Sequence, residues 1–269
     1  MKTIVFFLSM IFLFMACKKD KSSGTKETVL TKVIKNDKLT DEFIYSSQKR
    51  MIKTNSYDEV TGQFAYATGF EYDLSGKLVK ENEYSQPDKI SGQVIYTWAQ
   101  DDRISQHEYK SLSGNDSGKV VARVKYSYDG SGRIDKLSWV DLVTGETTTT
   151  NVLSYYTNGN LRSSAIYYHN NAVPALQWET AYSTGEALPQ SLNKSKGYPI
   201  NYILYDLVAG GRHFYGYSSG VVTQETNDIF TNRQYDDKGY LIQQSIKQKS
   251  ILPAGPDKII QMKYEYAEL

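Results

Sequence analysis

Paired carboxyl groups are the residues of this sequence that could most directly do chemistry. Glu81 and Glu83 are two residues apart, and Asp101 and Asp102 are adjacent. A glycoside hydrolase needs two carboxyl groups on opposite sides of the sugar bond. Glu81 and Glu83 would share one strand face and lie too close for that geometry, so we interpret both pairs as solvated charges. The sequence therefore nominates no catalytic residue, and we expect that the protein is not an enzyme.

Neither the histidines nor the glycine-rich segment favours a bound metal or nucleotide. His107, His169 and His213 are far apart, without the spacing that metal ligands show. Segment 114–119 begins like a phosphate-binding loop, but one residue is lacking between its glycines, and Val120 stands where Ser or Thr should bind magnesium. We interpret this segment as a hairpin loop and expect neither a metal site nor a cofactor.

Aromatic residues are the one unusual feature of the composition. The chain has 23 tyrosines, nine phenylalanines and three tryptophans. Exposed Trp98, Trp139 and Trp178 could stack on sugar rings or anchor a protein partner. Residue parity puts Trp98 and Trp178 on the same strand face and Trp139 on the other. Tyrosine is also a strong strand former, so most aromatics are expected to pack within the sheet.

A repeated aromatic–turn–aliphatic unit would position these residues. Tyr72 is followed by Asp73, Gly76 and the aliphatic Leu78, six residues on. The same six-residue offset links Tyr45/Met51, Trp98/Ile104, Tyr128/Ile134, Tyr182/Leu188 and Tyr235/Leu241, and Tyr156/Leu161 is one residue shorter. Asp closes a local turn and Gly accepts the positive φ of a tight hairpin loop. The unit therefore predicts two antiparallel strands joined by a short turn.

Strand alternation extends this prediction to the whole chain. Phe64, Tyr66, Thr68, Phe70 and Tyr72 share one face, as in a half-buried strand. We predict an all-β, antiparallel up-and-down β-meander of about 16–18 strands. So many strands should curl into a barrel or half-barrel. The tight turns should lie at one end, and the longer connections 111–119, 141–150 and 250–258 at the other.

The N-terminus predicts export and a lipid anchor. Residues 1–16 are a basic start followed by an apolar run, which is typical of a signal peptide. Leu13–Cys17 resembles the bacterial lipobox, which implies cleavage before Cys17 and lipidation of its thiol. Residues 17–27 form a charged, flexible tether, and 28–269 are expected to be a single β-meander domain. Cys17 is the only cysteine, so no intrachain disulfide forms.

The charged residues limit the possible partners and surroundings of the domain. Lys and Arg number 31 and Asp and Glu 30, which argues against a nucleic-acid partner. A membrane-spanning barrel needs an uninterrupted apolar row facing lipid. The candidate faces instead carry polar residues, namely Lys80, Asn82, Gln106, Glu108, Lys136 and Gln243. We therefore predict a soluble meander that contacts the membrane through its N-terminal lipid.

Two family resemblances accompany these residues. Tyr128-Asp129-Gly130-Ser131-Gly132-Arg133-Ile134 resembles a YD repeat of the Rhs and teneurin type, and the hairpins at Tyr72 and Tyr235 match it partly, with Lys77 and Tyr240 in place of the arginine. In length, lipobox and spaced tyrosine hairpins, the chain is similar to Bacteroidetes lipoproteins of unknown function with a porin-like fold. That resemblance implies a β-fold and an outer-membrane location, at the cell surface or facing the periplasm, but no activity.

We therefore expect a non-enzymatic, lipid-anchored envelope protein that binds a glycan or a protein at the loop-rich end, where binding usually sits. Two alternatives stay open. One is a glycan hydrolase whose carboxylates are gathered inside the barrel by folding, and the other is a structural component of the envelope.

Overall fold

Sixteen β-strands contain most of the residues described by the computed structural model of the protein, namely 28–157, 159–169, 171–182 and 209–269. A 3-10 turn, Gly114–Asp116, lies between the seventh and eighth strands. The strands are β1 (Thr28–Lys35), β2 (Lys38–Tyr45), β3 (Met51–Tyr57), β4 (Phe64–Tyr72), β5 (Leu78–Gln86), β6 (Lys89–Trp98), β7 (Ile104–Ser111), β8 (Val120–Tyr128), β9 (Ile134–Val140), β10 (Thr147–Tyr155), β11 (Leu161–Tyr168), β12 (Leu176–Tyr182), β13 (Ala209–Ser218), β14 (Val221–Tyr235), β15 (Leu241–Leu252) and β16 (Lys258–Glu268).

The strands form one closed antiparallel barrel. Each strand pairs with its neighbours in sequence, and β1 pairs with β16 to close the sheet. The closing register joins Val33 to Tyr264 and Lys35 to Met262. The all-β meander expected from the sequence is therefore confirmed, and closure removes the two sheet edges that a half-barrel would expose.

The two ends of the barrel differ, as the alternation of connections predicts. One end carries the five-residue connections 46–50, 73–77, 99–103, 129–133, 156–160 and 236–240, and we call it the tight-turn end. The opposite, loop-rich end carries the connections 58–63, 112–119, 141–146, 169–175 and 253–257, together with three two-residue turns. Thr28, the first residue of β1, lies at the tight-turn end.

The six tight turns share one backbone geometry. In the turn 73–77, the N–H of Asp73 donates to the carbonyl of Lys77, and the N–H of Gly76 donates to the carbonyl of Asp73. Gly76 has a φ of +88°, which glycine adopts without the cost that a Cβ would add. The same two hydrogen bonds recur in the other five turns, where Lys49, Asp102, Gly132, Gly159 and Gly239 hold the positive φ.

A β-bulge follows each of these turns and changes which side chains face inward. Tyr72 is opposite Leu78, but Glu71 is opposite Lys80, so Val79 is the extra residue. A bulge of this kind shifts the alternation of the strand by one residue. Glu81 and Glu83 therefore face the barrel interior. The same register shift follows the other five turns.

In the strand that follows each tight turn, the residues after the first therefore lie on the face opposite to the one that simple alternation predicts. Simple alternation along β7 predicts that Ile104, Gln106 and Glu108 share one face. The bulge at Ser105 instead puts Gln106 and Glu108 on the outer wall, while His107 lies opposite Tyr96 on the inner face.

In most units the repeated aromatic residue joins its hairpin to the preceding one. The hydroxyl of Tyr128 donates to the carbonyl of Ile104, in the preceding hairpin, at 2.7 Å. The guanidinium of Arg103, the last residue of the preceding turn, lies 4.9 Å from the centre of the Tyr128 ring. We call this pair of contacts the aromatic clasp. A hydrogen bond and a cation–π contact each stabilise such a site by about 1 kcal/mol.

The hydrogen bond of the aromatic clasp recurs at five other aromatic residues around the tight-turn end, and a cation completes the clasp at three of them. The donor–acceptor pairs are Tyr45–Leu30, Tyr72–Met51, Trp98–Leu78, Tyr155–Ile134 and Tyr266–Leu241, at 2.6–2.9 Å. The cations over the rings are Arg50 on Tyr72, Lys77 on Trp98 and Arg133 on Tyr155. The repeated sequence unit is therefore a contact between neighbouring hairpins as well as a turn.

Two units differ from the expectation or lie outside the described part. Tyr155, and not Tyr156, is the residue opposite Leu161, so this unit has the ordinary six-residue offset. Tyr156 instead donates its hydroxyl to the carbonyl of Thr180. Leu188, the expected partner of Tyr182, falls in the stretch 183–208, outside the described residues.

The core consists of two apolar clusters on the inner face. One surrounds the closing pair of strands and includes Leu30, Phe43, Phe230 and Met262. The other lies on β4–β7 around Leu78, whose side chain is fully buried.

No helix among the described residues is long and apolar enough to span a bilayer.

Candidate functional site: a charged cavity at the loop-rich end

The three tryptophans all lie on the inner face, half-buried. Trp98 donates its Nε1–H to Leu78 in an aromatic clasp, and Trp178 packs against Phe214 with ring centres 5.3 Å apart. Trp139 is opposite Val124, whose side chain is almost fully buried. The expectation that Trp139 points to the other face is wrong, because the bulge at Asp135 shifts the alternation of β9. These three tryptophans therefore cannot stack on a sugar ring at the outer wall.

The carboxyl groups of β5 also lie inside rather than in solvent. Glu81 accepts a hydrogen bond of 2.6 Å from the hydroxyl of Tyr96, and burial raises the pKa of Glu81. The next strand pair places His107 Nδ1 2.7 Å from the hydroxyl of Tyr126. Burial lowers the pKa of His107 to about 4, so its imidazole is neutral at physiological pH. The interpretation of Glu81 as a solvated charge is wrong, since the bulge turns it inward.

The other polar residues singled out in the sequence have local partners. Asp101 pairs with Arg103, and Asp102 pairs with Lys77. Segment 114–119 is an exposed connection in which Lys119 pairs with Asp116 at 3.0 Å. His213 Nε2 lies 2.8 Å from Glu225 on the outer wall. Across the described ranges, no three His, Cys, Asp or Glu side chains are grouped so as to hold a metal ion.

A cavity of about 200 Å³ opens inside the loop-rich half of the barrel. Its polar lining includes the charged or amide residues Lys35, Asp41, Glu59, Arg212, Asp228 and Gln248, together with Thr40 and Tyr264. These residues come from strands at both termini and from the connection between β3 and β4. Only the pairing of β1 with β16 brings them together, which is why no local sequence pattern marks the site.

Strand register fixes the polar side chains on the inner face. Arg212 is opposite Asp228, which is opposite Gln248 on the next strand. Arg212 Nη2 lies 3.0 Å from Asp228 Oδ2, and Gln248 Nε2 donates to Asp228 Oδ1 at 3.0 Å. Both carboxylate oxygens of Asp228 therefore have donors, and the three residues form a ladder across β13–β15.

The opposite wall carries a second ion pair and Asp41. Lys35 Nζ lies 2.5 Å from Glu59 Oε1, and Lys38 Nζ donates to the carbonyl of Val60 in the same connection. These two lysines hold the 58–63 connection beside the cavity. Asp41 accepts a hydrogen bond of 2.8 Å from the hydroxyl of Ser56. Burial raises the pKa of Asp41, and the hydroxyl of Ser56 partly opposes that effect.

Charged side chains held in ion pairs and apolar side chains thus line the same cavity. Ile246, Ile260 and Met262 contribute side chains beside the charged groups. Electrostatic interactions are stronger next to such walls than in water. This arrangement suits a small polar ligand that is held by a few placed hydrogen-bonding groups.

The outer wall is charged and lacks such an enclosure. Cross-strand ion pairs join Lys80 to Glu71 at 2.8 Å and Arg123 to Glu108 at 2.7 Å. The exposed Ile95 is opposite Lys80. Single exposed aliphatic residues among charges are normal for a protein surface.

The chain has limited similarity to known proteins. No family model and no curated protein matches its sequence. In structure it is similar to a porin-like protein from Bacteroides uniformis, with 12% identity and a TM-score of 0.45 over 88% of this chain and 96% of that one. A porin-like protein from Bacteroides vulgatus gives 13% identity and a TM-score of 0.45, over 90% and 100% of the two chains.

A weaker similarity links the chain to a part of a much longer protein. It aligns with the Photorhabdus luminescens Tc holotoxin pore at 11% identity and a TM-score of 0.33, over 80% of this chain and 12% of that one. These similarities carry no information about activity.

Proposed function

We propose that the protein is a lipid-anchored barrel of the cell envelope that binds a small glycan in the cavity at the loop-rich end, without converting it chemically. The observation that carries the proposal is the set of charged and amide groups that line the cavity. Hydroxyl groups of a sugar can donate to carboxylates such as Asp41 and accept from cations such as Lys35.

Topology supports a ligand site that faces away from the membrane. Cys17 would carry the lipid, and residues 18–27 would link it to Thr28, the first residue of β1. Thr28 lies at the tight-turn end, whereas the cavity lies in the opposite half. The tether would therefore hold the tight-turn end toward the bilayer and leave the cavity accessible.

The outer wall supports a barrel that stands outside the bilayer. Lys80, Glu108 and Lys136 lie on the outer face because of the bulges. Lys or Arg on a lipid-facing barrel wall costs roughly 2–4 kcal/mol at the bilayer midplane. Several such residues around the wall favour water over lipid.

The unit at Tyr128–Ile134, with Arg133 stacked on the ring of Tyr155, further supports grouping these hairpins with YD repeats.

Glycan hydrolysis is a second candidate, and one observation favours it. Folding brings Asp41, with its raised pKa, into one cavity with Asp228, and a general acid needs such a shift. Asp228, however, is bound through both oxygens by Arg212 and Gln248. A carboxylate held in this way is poorly placed to attack a sugar, so binding without turnover is the better account.

A glycan array tests the proposal directly. The form that lacks residues 1–17 should bind at least one class of envelope glycan. The double variant Arg212→Gln/Asp228→Asn removes the cavity ion pair without leaving a single buried charge, and it should abolish that binding. The matched control Arg123→Gln/Glu108→Gln removes an outer-wall pair and should bind normally. Unchanged binding by the cavity variant would contradict the site. Absence of any glycan binding, with capture of an envelope protein, would instead favour a structural role.

A further inference from the structure

The charges of the residues that line the cavity do not balance; Lys38 lies beside the lining and donates to the Val60 carbonyl. Three carboxylates, Asp41, Glu59 and Asp228, face two cations, Lys35 and Arg212. Each cation is engaged by one of the carboxylates, Lys35 by Glu59 at 2.5 Å and Arg212 by Asp228 at 3.0 Å. Asp41 remains as the excess negative group of the lining.

Asp41 is supported by neutral donors rather than by an ion pair. The Ser56 hydroxyl donates to Asp41 Oδ1 at 2.8 Å. Lys35 acts on Asp41 through its charge without a hydrogen bond to it, because the Lys35 ammonium is bound to Glu59. A half-buried carboxylate with only neutral donors gains more from a cationic partner than a carboxylate that is already paired.

We propose that the cavity selects ligands that carry a protonated amine beside hydroxyl groups, with the ammonium received by Asp41. This inference rests on the proposed function, because it assumes that the ligand occupies the cavity. An ammonium at Asp41 would balance the lining charge, and the neighbouring Gln248 amide and Glu59 carboxylate would serve the hydroxyl groups. Anionic ligands are disfavoured, because the excess carboxylate repels them.

The experiment is isothermal titration calorimetry of the full chain in detergent, at neutral pH, with four probes. D-Glucosamine presents an ammonium and hydroxyls, D-glucose presents hydroxyls only, N-acetylglucosamine presents a neutral amide in place of the amine, and putrescine presents ammonium groups without hydroxyls. We expect glucosamine to bind roughly tenfold more tightly than each of the other three, as one added charge-assisted hydrogen bond implies.

Two variants assign the selectivity to one residue. Asp41→Asn keeps an oxygen that can accept the Ser56 hydrogen bond, and it should reduce glucosamine binding to the level of glucose. Asp237→Asn, on an exposed turn at the tight-turn end, should leave all four affinities unchanged. Circular dichroism of both variants establishes that they are folded.

The outcomes separate this inference from the proposed function. Equal binding of glucose and glucosamine would overturn the amine selectivity and leave glycan binding intact. Equal binding of putrescine and glucosamine would overturn the requirement for hydroxyl groups. Glucosamine selectivity that survives in Asp41→Asn would overturn the role of Asp41. Lack of binding by every probe, together with a glycan array without signal, would contradict both proposals.

Discussion

Among the connections that the structure describes, those at the tight-turn end repeat one design, whereas those at the loop-rich end vary. Six hairpins at the tight-turn end share the same turn hydrogen bonds, the same bulge and, in most units, an aromatic clasp onto the preceding hairpin. At the loop-rich end the connections range from two residues at 36–37 to eight at 112–119. The charged cavity lies in that variable half. The repeated residues therefore build the scaffold, and the residues outside the repeat build the candidate site.

The largest expected effect comes from the core at the tight-turn end. Leu78→Ala should lower the free energy of unfolding by about 3 kcal/mol, because the leucine is fully buried and a cavity would remain. The matched change Leu142→Ala, in a loop-rich connection where the side chain is 39% exposed, should cost less than about 0.5 kcal/mol. Urea unfolding of both variants measures the difference. Similar losses of unfolding free energy in the two variants would contradict the view that the tight-turn end forms the stable scaffold.

Removing one aromatic-clasp hydroxyl should have the next largest effect. Tyr128→Phe leaves the Ile104 carbonyl without its 2.7 Å partner, and we expect a loss of about 1–2 kcal/mol. Tyr66→Phe is the matched control, since Tyr66 at the loop-rich end is 57% exposed and should be close to neutral. Thermal unfolding followed by circular dichroism compares the two. An unchanged midpoint for Tyr128→Phe would show that the aromatic clasp does not contribute to stability.

The cation of the aromatic clasp should contribute less than the hydroxyl. Arg133→Gln removes a guanidinium that lies 4.6 Å from the centre of the Tyr155 ring, and a loss of about 0.5–1 kcal/mol is expected. Lys119→Gln removes an exposed surface pair with Asp116 at the other end and should change little. Urea midpoints at low and high salt measure both. Equal effects would mean that Arg133 acts only as a surface charge.

The smallest expected effect is pH-dependent and shared by both ends. Backbone N–H groups and the side chain of Arg133 lower the pKa of Asp129 below its ordinary 3.8, and Thr61 does the same for Asp58 at the loop-rich end. A lowered pKa means that the ionised carboxyl stabilises the fold at neutral pH, and that this contribution is lost as the pH falls through the lowered value. Asp129→Asn should therefore be less stable than the parent at pH 7 and equal to it in strong acid. A difference that persists in acid would exclude the ionised carboxyl as the cause.

Local sequence patterns predict the strands and turns well, because the spacing of Tyr72, Gly76 and Leu78 reflects one hairpin. They do not predict the bulge, since the extra residue Val79 resembles any other strand residue. A prediction that omits the bulge exchanges the inner and outer faces of each strand that follows a tight turn. For that reason the sequence alone predicts the wrong environments for Trp139 and Glu81.

The cavity could not be predicted for a different reason. Lys35 and Asp41 are nearly two hundred residues from Asp228 along the chain, and only the closing pair β1–β16 makes them neighbours. Barrel closure depends on pairing between the first and last strands, which no local alternation specifies. The charged residues of the cavity therefore resembled ordinary surface charges in the sequence.

Hydrogen–deuterium exchange of the full chain, with and without saturating D-glucosamine, tests the division between scaffold and site most directly. We predict slower exchange in the segments that surround the cavity, 35–41, 58–63 and 246–248, and no change in the turns 73–77 and 129–133. Protection confined to the tight-turn end, or spread equally over both ends, would contradict the account.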